Sequence, residues 1–121
     1  MLLHMRDPGL ERHDWESEME SLEEDLRSDP AEALSELDAL IARMLDETGY
    51  DPRDPVVRSG DDREIVAEFL AAHEITEAVE RDAPELSPGD VAAAINGYRA
   101  IFEYLVNERS TEEVEYKTSD S

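Results

Sequence analysis

The sequence predicts an all-α fold, a small bundle of about four helices in one domain over residues 1–109. Three observations carry this expectation. Apolar residues recur at alternating three- and four-residue spacings through four stretches, the repeat of one helix face. No stretch alternates apolar and polar residues as a half-buried strand does. Helix-start chemistry, an Asp or Ser followed by Pro or by an acid three residues on, stands at the boundaries between the stretches.

The first helix is expected over 8–28, starting at Asp7-Pro8 and softened by Gly9. Its seam, Trp15, Met19, Leu22 and Leu26, is narrow, with charge on the other sides. The second is expected over 30–48, with Asp29 as cap, Pro30 at the first helical position and Glu32 at the third. Its stripe, Leu34, Leu37, Ile41 and Met44, is widened by Leu40 and Leu45, and Gly49 supplies a stop. Residues 50–60 hold Asp51-Pro52 and Asp54-Pro55 and then Val56-Val57. A residue before proline is pushed toward extended geometry, so a strap is expected here.

The third helix is expected over 62–82, capped by Asp61 with Glu64 as reciprocal partner, and striped by Ile65, Phe69, Ala72, Thr76 and Val79. The fourth is expected over 88–108. Ser87 caps it, Asp90 is a shorter and weaker reciprocal partner, and Leu86 can pack on Val91 as a staple. Val91, Ile95, Tyr98, Phe102 and Leu105 form its stripe. The segment 110–121 has little apolar content and is expected to be a disordered acidic tail.

Composition excludes several activities. Asp and Glu number 33 against 11 Lys and Arg, a net charge of −22, which leaves no basic face for nucleic acid or an anionic membrane. Without cysteine there is no disulfide framework and no thiolate metal site. The longest apolar run, Val91 to Ile95, is far short of the roughly 20 residues that span a bilayer. With no targeting segment recognisable either, a cytoplasmic protein is expected.

Candidate chemistry is sparse. His73-Glu74-Ile75-Thr76-Glu77 places a histidine and a carboxylate one helical turn apart, as the two histidines of a zinc-protease helix are placed, which makes His73 and Glu77 candidate metal ligands. The competing reading seats His73 at the core edge, bonded to a neighbouring carboxylate or to Tyr98. Four Glu-x-x-Glu pairs (Glu20/Glu23, Glu74/Glu77, Glu77/Glu80, Glu112/Glu115) have the spacing of bundle carboxylate metal sites, but Glu is frequent enough for chance to give as many. No Gly-x-Ser-x-Gly elbow or glycine-rich phosphate loop occurs. No catalytic residue and no cofactor are assigned.

The acids are spread evenly, nine, eight, nine and seven over residues 1–28, 29–60, 61–86 and 87–121, which disfavours a dedicated acidic docking face. Only Lys117 among the cations is lysine. This acid-rich, lysine-poor composition resembles that of proteins from halophilic archaea, which implies a surface adapted to molar salt. The expected role is non-catalytic, a protein-interaction or assembly module. The alternatives are a carboxylate/His metal-binding bundle enzyme, such as a nucleotide pyrophosphohydrolase-like hydrolase, and an acidic mimic that binds a basic partner. Protein partners, including a second copy, would engage apolar positions among Trp15, Met19, Leu22, Leu26, Val56, Val57, Tyr98 and Phe102. The thin seam of the first helix either completes the bundle or pairs across a two-fold axis.

Overall fold

The computed structural model describes the backbone of residues 8–50 and 60–119 and the side chains of residues 12–50 and 63–108. It contains four helices: α1 (Pro8–Ser28), α2 (Pro30–Glu47), α3 (Gly60–Glu80) and α4 (Pro88–Ser119). No strand occurs among the described residues, in keeping with the all-α expectation. No helix is long and apolar enough to cross a membrane among the described residues. The expected strap, with Val56 and Val57, lies outside them.

Asp29 alone separates α1 from α2. Its N–H donates to Asp25 O at 2.8 Å, closing α1, while its carboxylate accepts from the Glu32 N–H at 3.4 Å, opening α2. The chain reverses there: Trp15 meets Glu47 and Glu18 meets Arg43, so α1 and α2 run antiparallel. At the far end of α2, Gly49 takes φ +90°, Gly49 N–H reaches Asp46 O, and Tyr50 N–H reaches Leu45 O at 2.8 Å. That double bond pattern is a Schellman stop, with buried Tyr50 covering it.

α3 starts at Gly60, so Asp61 falls inside its first turn instead of capping it as expected. α4 begins with a complete capping box, because Ser87 Oγ accepts from the Asp90 N–H at 3.2 Å and the Asp90 carboxylate accepts from the Ser87 N–H at 3.0 Å. The shorter acid thus makes the reciprocal bond that Glu32 does not show. α4 continues to Ser119, well past the expected end at 108, so residues 110–119 of the segment expected to form a disordered tail extend the helix. Low apolar content denies a segment packing, but the tail has no Pro or Gly to stop a helix and is rich in Glu, a good helix former.

α2 and α4 run parallel: their first turns adjoin at Pro30 and Pro88, and Asp38 meets Tyr98 further along. α1 and α3 each pack against both α2 and α4, and no packing between α1 and α3 is seen among the described residues. The cross-section is therefore a rhombus with α2 and α4 on its short diagonal. Fully enclosed side chains concentrate on that diagonal, Leu34, Leu37, Ile41, Met44 and Leu45 from α2 and Tyr98, Ile101 and Leu105 from α4. Each such side chain contributes roughly 1.5–3 kcal/mol by leaving water.

Candidate functional site

The polar chemistry inside this apolar frame is one network, assembled halfway along the bundle. On α2, Asp38 stands four residues after Leu34 and three before Ile41, so its carboxylate shares their side of the helix. On α4, Tyr98 is wholly buried, and its hydroxyl donates to Asp38 Oδ2 at 2.5 Å. On α3, Thr76 is 3% exposed and its Oγ1 lies 2.7 Å from the Tyr98 hydroxyl. Tyr98 gives its one proton to Asp38, so the single Thr76 hydroxyl proton is shared between the Tyr98 oxygen and the Ala72 carbonyl, which lies 3.1 Å away. His73, one turn earlier on α3, brings Nδ1 to within 2.7 Å of the same Asp38 oxygen.

The surroundings fix the ring. Phe69 stacks on the His73 imidazole at 5.5 Å and presents an edge to Tyr98 at 6.2 Å. His73 Nε2 points outward to Glu77 Oε2 at 3.4 Å. The His73 pKa is raised above the ordinary 6.5, first by the bond to Asp38, with the charges of Asp38, Glu77 and Glu80 adding and burial opposing. Burial first, then the Asp38 bond, pushes the Tyr98 hydroxyl far up, so it remains a donor at any physiological pH.

His73 and Glu77 do adjoin, as the metal reading required. Asp38, however, occupies the opposite ring nitrogen instead of converging with them, and no group of three His, Asp or Glu among the described residues is arranged to hold an ion. The other reading of His73, a core-edge histidine bonded to a carboxylate, matches the contacts. A carboxylate-oriented imidazole is also the geometry of a general base. Here the nearby hydroxyls, Thr76 and Tyr98, are spent inside the core. A shallow concavity of about 340 Å³, lined mainly by Pro30, Ala31, Leu86, Pro88 and Val91, sits where α2 and α4 begin. It is roughly 12 Å along α2 from Asp38 at 1.5 Å per residue.

The residues expected to form an interaction surface are mostly not available for one. Trp15, Met19, Leu22 and Leu26 are buried against the rest of the chain, and Trp15 Nε1 donates to Glu47 at 2.8 Å, so the thin seam of α1 completes the bundle. Tyr98 is enclosed. Phe102 is half-buried at the edge of the core.

The member that sequence reasoning missed is Asp38. Its signal was an acid placed within the width of an apolar stripe, at four and three residues from seam positions.

Among the described residues, the outer face of α4 departs from the acidic norm of the surface. Between Asp90 and Glu103, every exposed residue of α4 is uncharged: Ala92, Ala93, Asn96 and Ala100. Arg99, the one charged side chain in that interval, is half-buried and bonded to Glu23 through two contacts of 2.8 and 2.9 Å. Exposed Ala67 and Ala71 lie on α3, across the close approach of Gly97 to Ala72, and Leu70 beside them is 44% exposed. No family model matches this chain, and no curated protein or solved structure matches it either.

Proposed function

We propose that this protein is a non-catalytic interaction module with a salt-adapted surface, and that the outer face of α4 is where it meets a protein partner. The observation that carries the reading is the uncharged run Ala92, Ala93, Asn96 and Ala100 on a chain of net charge −22. The exposed residues of α1 between His13 and Arg27 are mostly acids, as a purely solvent-facing helix in such a chain would be. Interfaces are depleted of charge at their centres. Two like-charged copies would also repel least across this face, so a second copy of the chain is one partner the reading admits.

The test is a double substitution, Ala93→Glu with Ala100→Glu. Both residues are exposed on α4, so helicity should be unchanged. The mass by light scattering in molar KCl and cross-linked capture from host extract at the same salt are compared with wild type. Loss of the assembly or the captured protein in the variant supports the reading, and equal assembly by both proteins rejects this face.

A further inference from the structure

We propose that Asp38, His73 and Glu77 form a proton-operated fastener that holds the last two turns of α3 against α2 when the imidazole is charged and lets them loosen when it is neutral. The geometry supplies both states. With two ring protons, His73 donates from Nδ1 to Asp38 at 2.7 Å and from Nε2 toward Glu77 at 3.4 Å, so one cation binds carboxylates on two helices. With one proton left, the short bond to Asp38 retains it, and the Nε2 lone pair then faces the Glu77 carboxylate.

The end of α3 makes that loss matter. Glu74, Glu77 and Glu80 crowd its final turns, where the helix dipole already disfavours anions, and the last turn has no basic residue. Arg81, just beyond, pairs with Glu85 at 3.9 Å. His73 is therefore the cation that offsets this cluster. The groups facing it are Asp38 from α2, Glu77 and Glu80 from α3, and Tyr98 from α4 by way of Asp38. The pKa of His73 is raised, so its contribution is complete below 6.5 and is lost as pH rises through the folded-state value. The fastener thus opens as pH rises past 6.5 and through the raised folded-state value.

The experiment is an NMR titration of the His73 ring between pH 5.5 and 9 in molar KCl, with amide hydrogen exchange of residues 74–81 corrected for the intrinsic pH dependence. The expected result is a His73 midpoint above 6.5, with exchange in the final turns of α3 accelerating several-fold across it and α1 unaffected. Glu77→Gln, at an exposed site that leaves the fold intact, should lower the midpoint, and His73→Gln should flatten the exchange profile. A midpoint at or below 6.5, exchange that ignores the titration, or a midpoint indifferent to Glu77→Gln overturns the proposal.

Discussion

Asp82 occupies φ +54°, a conformation that costs a side-chain-bearing residue and that glycine adopts freely. It does so because α3 ends as α2 does: Asp82 N–H bonds Val79 O and Ala83 N–H bonds Ala78 O, a Schellman stop built without glycine. Asp82→Gly should therefore raise stability by up to about 1 kcal/mol. A thermal melt in molar KCl checks it, with a midpoint a few degrees above wild type as the expected result. Gly49 announced the same motif in the sequence because glycine after an apolar stripe reads as a stop. An aspartate there reads as the start of something, so this stop was not legible. Asp38 was hidden differently. Its partners His73 and Tyr98 lie 35 and 60 residues away, and nothing local to α2 states that a tyrosine will arrive to satisfy its carboxylate.

At the scale of elements, helix identity was legible and helix attachment was not. Pro30, Ser87 and the apolar stripes announced the helices, since caps and periodicity are local properties. The length of α4 exceeds the expectation because weak packing potential does not by itself end a helix, and residues 110–119 hold no Pro or Gly to stop one. How α1 is fastened emerges only from the assembled bundle: its apolar seam, the Trp15–Glu47 bond, the Glu18–Arg43 pair at 2.6 Å and the paired Glu23–Arg99 contacts. Arg99 holds the Glu23 carboxyl below its ordinary 4.5, chiefly by hydrogen bonding. That stabilisation is present above 4.5 and is lost as pH falls through the folded value. Both side chains are about a third exposed, so Glu23→Gln should cost no more than about 1 kcal/mol. It should also shift the acid limb of a pH–stability curve while leaving the limb above pH 7 in place, which denaturant titrations at a series of pH values can read.

For the whole molecule, the charge of −22 decides how salt acts. Salt weakens the few exposed ion pairs, but it also screens the repulsion among 33 acids, and the second effect is larger because so few cations balance them. At molar ionic strength the screening length is about 3 Å, shorter than most distances between surface carboxylates. Circular dichroism should show the melting midpoint rising steadily from dilute buffer to molar KCl, and a midpoint indifferent to salt would remove the solvent-adaptation reading. The rhombic cross-section has a separate implication for how information crosses the molecule. Among the described residues α1 and α3 pack only on α2 and α4, so there whatever happens at His73 reaches α1 through the central pair. Tyr98 and Arg99 are consecutive on α4, one bonded into the histidine cluster and the other clasping Glu23 of α1. One peptide unit is thus the shortest wire between the two lateral helices.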